Sequence, residues 1–338
     1  MSLAGKRILV TGGAGFIGSH LVDQILEDPD VAQVRVLDNL INGSRDNLPA
    51  LERDPRLVLL AQDILDTGAV DAAMSGTDIV FHLACLGVRH SLHSPLENHR
   101  VNAEGTLNVL LAGQRQGVER FVHVSSSEVF GTAQHAPIDE SHPTWPETVY
   151  GGSKLAGEAY ARAFVSTYGM PVVVVRPFNT YGPRSHFEGD CGEVIPRTVV
   201  RVLCGLPPLI FGDGEQTRDF LHVSDTARGL RSIATCDAAV GRTLNFGFGR
   251  ETTINALCQR VAEEAGRPDL AADHVEARPG DVRRLWVDNT LVRELIGFEP
   301  RTSLAQGITD LVDDFRRLPS SPEEMLATMA DRNWEGVA

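Results

Sequence analysis

Tyr150 and Lys154 stand at i and i+4 of a helical stretch in VYGGSK, so both side chains project from one face and reach one ligand. An ammonium beside a phenol favours the phenolate and moves the tyrosine toward the range of a general base for a hydroxyl group. Such a pair is common on exposed helices and says little alone. Ser125, Ser126 and Ser127 change its weight, because they follow the apolar run RFVHV at the carboxyl edge, where an open α/β sheet places its ligands. A hydroxyl there holds a substrate oxygen for Tyr150, and Glu128 follows as a further group able to move a proton.

A sheet and crossover helices must position these side chains. Runs rich in Val, Ile and Leu recur at 7–11, 34–38, 57–63, 78–84, 121–126 and 171–178, alternating with helical periodicity at 15–26, 101–114 and 150–168. The alternation predicts an α/β fold with a Rossmann-type, doubly wound parallel sheet covered by helices on both faces. TGGAGFIG lies where the first strand becomes the first helix. There Gly12, Gly15 and Gly18, with Phe16 and Ile17 between them, permit a tight turn and close approach of a pyrophosphate to backbone amides and the helix dipole. Asp38 ends the second strand twenty residues past Gly18, where an acid binds the ribose hydroxyls of an adenosine. Asn39 and Leu40 follow it with no arginine, so the 2′-phosphate of NADP would meet a carboxylate and NAD is preferred.

After Phe178 the character changes to a segment rich in Pro, Gly and Arg, 179–219, where substrate binding is expected to begin. Residues 1–178 are read as an NAD-binding Rossmann domain and 179–338 as a smaller, mainly substrate-binding domain, with one or two elements returning to the sheet. A helix near 222–234, a strand near 243–248 and helices at 254–265 and 304–317 are predicted, and the last fifteen or so residues look weakly ordered. The net charge of −14 makes nucleic acid an unsuitable partner while leaving room for a small anion held by arginines. Five scattered cysteines without CxxC spacing read as reduced thiols of a cytoplasmic protein. Met1 leads directly into a strand without a signal-peptide pattern and no apolar run approaches bilayer length, so no membrane association is expected. His90, His93 and His99 fit no common metal-ligand spacing, and no metal is expected.

In order along the chain, TGGAGFIG, Asp38, QDIL, FHLA, VNAEGT, VSSSEVFG, VYGGSK, RPFNTYGPR, GDGEQTRDF and RPGDVRR resemble the extended short-chain dehydrogenase/reductase superfamily, specifically its NAD-dependent nucleotide-sugar epimerase/dehydratase group. The resemblance covers almost the whole chain. It implies that C4 of a nucleotide-linked hexose is oxidised by Tyr150, Lys154 and Ser126, and that Ser126 and Tyr150 also touch the sugar. By the same resemblance Asp63 and Ile64 flank the adenine, Leu83 and Ala84 line the cofactor, and Asn39 lies beside Asp38. Asn102 falls near the nicotinamide half, Lys154 binds its ribose, and Pro177 and Phe178 border the nicotinamide. Asn179, Arg218 and Arg278 are placed near the nucleotide diphosphate, a role suited to guanidinium forks. Arg184 and Arg89 fit that role or a solvated surface role equally. Association as a homodimer is implied by the resemblance alone.

Family members diverge after C4 oxidation. A simple 4-epimerase returns the same hydride to the other face of the ketone and needs no further acid or base. A 4,6-dehydratase needs a base for the C5 proton and an acid for the departing C6 oxygen. Aligned on VFG, Ser126 takes the catalytic hydroxyl position, Ser127 the next and Glu128 the third, where a glutamate resembles the dehydratase base. The dTDP-glucose dehydratase pattern has Asp before that Glu, whereas this chain has Ser127, a departure that leaves the C6 acid unassigned. Serine and glutamate together also resemble GDP-mannose and some UDP-N-acetylglucosamine dehydratases, and the UDP-glucuronate decarboxylases, and SEVFGTA with NTYGPR and VIPR looks most like the UDP-N-acetylhexosamine group. The reading is 4,6-dehydratase-type chemistry on a UDP-linked hexose, with UDP-hexose 4-epimerase and UDP-glucuronate decarboxylase as alternatives and Glu128 as a structural acid capping or bridging loops in the other case. More remote are a non-catalytic NAD-binding sensor, opposed by the intact Ser126, Tyr150 and Lys154, and a ketoreductase that releases NADH each turnover.

Overall fold

The computed structural model describes residues 1–330 and 332–335. Strands β1 (Arg7–Thr11), β2 (Gln33–Leu37), β3 (Leu57–Leu60), β4 (Ile79–His82), β5 (Arg120–Val124) and β6 (Val172–Pro177) are followed by the short β7 (Thr180–Tyr181), β8 (Leu209–Phe211), β9 (Thr217–Asp219) and β10 (Leu221–His222). Next come β11 (Thr243–Phe246), β12 (Glu251–Thr253) and β13 (Asp273–Val275). Seven of them form one parallel sheet in the order β11-β6-β5-β4-β1-β2-β3. Runs such as VVVV in β6 and RFVHV in β5 are buried throughout because helices cover both faces. Val10 sits in register with Val36 on one side and Phe81 on the other. The order reverses between β1 and β4, and at such a switch point a crevice opens beyond the carboxyl ends of the strands.

The helices that position the site are α1 (Phe16–Leu26), α2 (Thr67–Met74), α3 (Val88–His93), α4 (Pro95–His99), α5 (Thr106–Gln116), α6 (Val149–Tyr168) and α7 (Val194–Leu203). They are followed by α8 (Val223–Thr235), α9 (Ile254–Glu264), α10 (Thr290–Ile296), α11 (Leu304–Arg317) and α12 (Pro322–Ala327). Helix α8 packs on α1, and β11 extends the sheet beside β6, so part of the chain beyond Phe178 completes the nucleotide-binding half. A separate core of Ile195, Val199, Leu257, Val261, Ile308, Leu311 and Phe315 holds α7, α9 and α11 together. The expectation of weak order at the C-terminus is corrected for the residues described. Helix α12 starts with a capping box between Ser321 and Glu324, and the Trp334 ring lies 4.8 Å from that of Phe211. The remainder of that expectation, residues 331 and 336–338, lies outside the described residues. No helix among the described residues is long and apolar enough to cross a membrane.

Candidate active site

At the β1–α1 turn, Gly12 adopts φ +69°, and a Cβ on it would stand 2.7 Å from the Ala84 amide nitrogen. A Cβ on Gly18 would collide with the Gly12 carbonyl. The two glycines therefore bring the turn, the first helical turn and the loop after β4 into contact, closing a shallow backbone cradle. Gly15 caps α1 without any side-chain hydrogen bond, leaving the first-turn amides available to an anion. The Asp38 carboxylate accepts hydrogen bonds from the Ala14 and Leu40 amides, both at 2.9 Å. Burial raises its pKa, and those amides oppose the rise. Asn39 donates to Asp63 at 2.8 Å, tying the ends of β2 and β3 into one wall.

At the carboxyl end of β5 the three serines part company. Ser125 donates to Glu158 at 2.6 Å, and Glu158 is fully buried beneath a two-pronged Arg176 contact at 2.7 and 2.8 Å. Burial works to raise the Glu158 carboxyl, but Arg176, Ser125 and Arg162 hold it below its usual range. Arg176 also lies over the Phe130 ring, 4.7 Å from its centroid. This network clamps the strand end to α6, and Ser126 beside it lines the cavity. The Ser126 hydroxyl caps the following turn by accepting from the Glu128 amide at 3.2 Å. Gly151 in the first turn of α6 permits close contact, since a Cβ there would lie 2.6 Å from the Glu128 carbonyl oxygen.

Lys154 is buried and donates to the Val124 carbonyl at 2.6 Å, so its ammonium is fixed to the last residue of β5. The expectation that this ammonium pulls the tyrosine down is corrected by the structure. Burial pushes the Tyr150 phenol well above its ordinary pKa, Cys85 and the acids Glu128 and Glu193 add to the rise, and the hydrogen bond with Ser126 opposes it. Burial likewise lowers Lys154, with Cys85 and Glu158 opposing.

These groups open onto one cavity of about 1070 Å³ that runs from the glycine cradle to the segment after Phe178. Gly12, Gly15, Phe16, Ile17, Gly18, Asp38, Asn39, Asp63, Ile64, Leu83, Ala84, Pro177 and Phe178 line it, as do Ser126, Ser127, Glu128, Tyr150, Lys154, Asn179, Arg218 and Arg278. Asn102 does not. It sits in a π-helical turn, Arg100–Gly105, with its amide satisfied by Leu86, Asn98 and Ser153 at 2.8 to 3.1 Å. Its place is behind the loop after β4, which it fixes. Arg184 turns away to Asp23 at 2.8 Å, whereas Arg89 lines the cavity and makes no hydrogen bond or ion pair among the described residues. Burial drives the Arg89 pKa down to about 10, with Arg278 adding to the fall. His93 reaches Asp190 at 2.8 Å and His90 reaches Glu97 at 3.3 Å.

Arg218 and Arg278 both hold Asp281, at 2.7 and 2.6 Å, and Arg218 also donates to the Val282 carbonyl at 2.6 Å. Asn179 turns into the cavity with a buried amide oxygen that has no partner among the described residues. The neighbouring Asp219 gathers the amides of Phe248, Gly249, Arg250 and Val287 and is pushed up to about 7 by burial, which keeps β9 and Arg218 in place.

Glu128 stands between these regions. Its carboxyl lines the cavity, takes no hydrogen bond and no ion pair among the described residues, and has a raised pKa because burial outweighs the nearby charges of Arg218, Arg278 and Arg89. The sequence reading missed Glu193, a further acid in the cavity lining. Its carboxyl is raised by burial against the pull of Arg89 and His186. A signal existed in GEVIPR, where a glutamate rather than Ser, Thr, Asp or Asn precedes a helical apolar run.

A doubly wound sheet with a glycine cradle at its switch point, and with a serine, tyrosine and lysine meeting at its carboxyl edge, defines an extended short-chain dehydrogenase/reductase. The match to family models narrows this: residues 9–311 fit GDP-mannose 4,6 dehydratase, and the chain belongs to that family. It is similar to a UDP-glucose 4-epimerase of Mycolicibacterium smegmatis, 37% identical over 315 residues, 92% of this chain and 98% of the relative. It is equally similar to a dTDP-glucose 4,6-dehydratase of an Actinoplanes species, 37% identical over 317 residues with the same coverage, 92% and 98%. Among solved structures, a dTDP-glucose 4,6-dehydratase from Streptomyces venezuelae with NAD bound superposes at a TM-score of 0.87 and 34% identity, over 92% of this chain and 97% of that one.

Proposed function

We propose that this enzyme uses NAD to oxidise C4 of a UDP-linked hexose and then eliminates water across C5 and C6, a 4,6-dehydratase. The glycine cradle fits a dinucleotide pyrophosphate, and Asp38 at the end of β2 fits the adenosine ribose. NAD, when bound, would take the C4 hydride and give it back at C6 after water has left, so that C5 is reprotonated and the cofactor ends each turnover oxidised. Tyr150, whose phenolate the positive nicotinamide of bound NAD would favour against the burial that raises its pKa, takes the C4 hydroxyl proton, while Ser126 holds the same oxygen and Arg218 and Arg278 release Asp281 to take the diphosphate. Identity does not separate epimerase from dehydratase, since both relatives stand at 37%. The observation that carries the dehydratase reading is Glu128. A carboxyl that neither caps nor bridges a loop, and whose pKa burial raises, lines the cavity where a base would remove the C5 proton next to a ketone.

Product formed in heavy water is expected to carry deuterium at C5, because that position is reprotonated from exchangeable protons. NMR of products from a panel of UDP-, dTDP-, GDP- and CDP-hexoses reads this directly. A product free of carbon-bound deuterium means that only the C4 hydride moved, and the enzyme is then a 4-epimerase.

A second expectation concerns the cofactor. Asp38 faces the 2′-position, so NADP should bind at least about tenfold more weakly than NAD, a difference of about 1.4 kcal/mol. Equal dissociation constants by isothermal titration would remove Asp38 from that role.

A further inference from the structure

Arg218 and Arg278 suit the substrate's diphosphate, and the contacts around their shared partner Asp281 give the cavity a direction. Thr148, two residues before Tyr150, packs on Gly280, where a Cβ would lie 3.3 Å from its methyl group. Asp281 follows, and Gln216 donates both to Asp281 at 3.3 Å and to the Phe211 carbonyl at 2.9 Å. The Phe211 ring in turn meets Trp334 edge to face, with 4.8 Å between centroids. With the sugar at Tyr150 and the phosphates at the arginines, the nucleoside is left at the end beside Phe211, against residues 328–330 and 332–335.

Those residues lie beyond position 311, where the family match ends, so the match assigns them no role. They are tied down on two sides. Toward the loop before α7, the Thr328 carbonyl accepts from the Gly189 amide at 3.4 Å, the Ala330 carbonyl accepts from Arg197 at 2.7 Å, and Asn333 donates to the Gly192 carbonyl at 2.9 Å. Toward β13, Arg332 pairs with Glu276 at 3.0 Å. Asn333 itself lines the cavity and is only 4% exposed. Its amide nitrogen is spent on Gly192, whereas its amide oxygen accepts no hydrogen bond among the described residues. A buried acceptor without a donor is costly, so a ligand that brings a donor gains by filling it. Leu209 and Phe211 line the same end of the cavity, and such apolar walls suit the flat faces of a base better than the hydroxyls of a ribose.

We propose that Asn333 is a specificity residue for the base of the substrate: its Oδ1 accepts a hydrogen bond from the imide N3–H of a uracil. The bond from Nδ2 to Gly192 fixes which end of the amide is the acceptor. Cytosine carries no hydrogen at N3 and presents a lone pair there, which the same oxygen would repel. Thymine shares the imide, so the contact selects against cytosine and not between uracil and thymine. This role rests on the reading of a UDP-linked substrate.

Isothermal titration of the NAD-loaded whole chain with UDP and with N3-methyl-UDP, in wild type and Asn333→Ala, tests it. Wild type should bind UDP about tenfold or more tightly than N3-methyl-UDP, in which a methyl group replaces the imide hydrogen. Asn333→Ala should bind UDP about three- to tenfold more weakly than wild type, and should bind the two nucleotides within about twofold of each other. Its content of NAD, by absorbance after gel filtration, should match wild type, because the glycine cradle makes no contact with this segment. If the substitution weakens UDP and N3-methyl-UDP alike, or NAD is lost, Asn333 only braces Gly192 and the proposal is wrong. Unchanged UDP binding overturns it too, as does a preference for UDP over N3-methyl-UDP that survives the substitution; in these cases wild type still binds UDP and the substrate reading stands. Wild type that binds UDP no more tightly than GDP removes the UDP reading itself, and the role of Asn333 goes with it.

Discussion

Tyr150→Phe is expected to lower turnover by about 10²- to 10⁴-fold while NAD stays bound. The phenol is the group placed to take the C4 hydroxyl proton, and phenylalanine keeps its ring but has nothing to ionise. Binding survives because other parts of the chain make the cofactor site. The Gly12–Gly18 cradle and Asp38 are built from backbone contacts and amide hydrogen bonds that do not involve residue 150. Lys154 also stays in place, since its ammonium is held by the Val124 carbonyl rather than by the tyrosine. The measurement is bound NAD by absorbance after gel filtration, beside initial rates on the preferred nucleotide sugar. Loss of NAD together with activity would refute this division of roles, because it would make Tyr150 part of the cofactor's own binding surface.

The sheet was legible because strands covered on both faces are mostly apolar, and the Val, Ile, Leu and Phe residues of β1, β4, β5 and β6 form such runs, interrupted by few polar residues. Strand ends were less so: the apolar run through Asp63 stops pairing at Leu60, where Asp63 turns to hold Asn39 and the Leu65 amide. Arg89 and Arg184 show where one-dimensional reading stops. Both are arginines near matching motifs, and only folding sends one to Asp23 and the other into the cavity. Asn102 carries a motif position yet lies behind the wall, because the π-helical turn at 100–105 rotates its amide toward Leu86. Spacing predicted that Lys154 would act on Tyr150, but not that a strand carbonyl would capture the ammonium and burial would raise the phenol. Glu193 was invisible for another reason: it is 65 residues from Glu128 in sequence, and only folding brings both acids to the lining of one cavity.

Glu128→Gln is expected to separate oxidation from elimination. The amide matches the carboxyl in shape and cannot take a proton, so removal of the C5 hydrogen should slow by about 10²- to 10⁴-fold while C4 oxidation continues. Enzyme-bound NADH should then accumulate on substrate addition, seen as absorbance growing in a single turnover, and the elimination product should disappear. Stability gives an internal control. The Glu128 carboxyl has no hydrogen-bond partner to strand among the described residues, and burial already opposes its charge. A neutral amide therefore leaves no orphaned partner behind, and the melting temperature should hold or rise. A structural acid that capped or bridged its loop would behave oppositely, with a lower melting temperature and normal chemistry in the surviving fold. A simple 4-epimerase differs again, because its ketone is reduced in place and no base at residue 128 enters the reaction. If Glu128→Gln turns over normally and wild-type product carries no solvent deuterium, elimination is not what this cavity does, and Glu128 is a bystander to hydride transfer at C4.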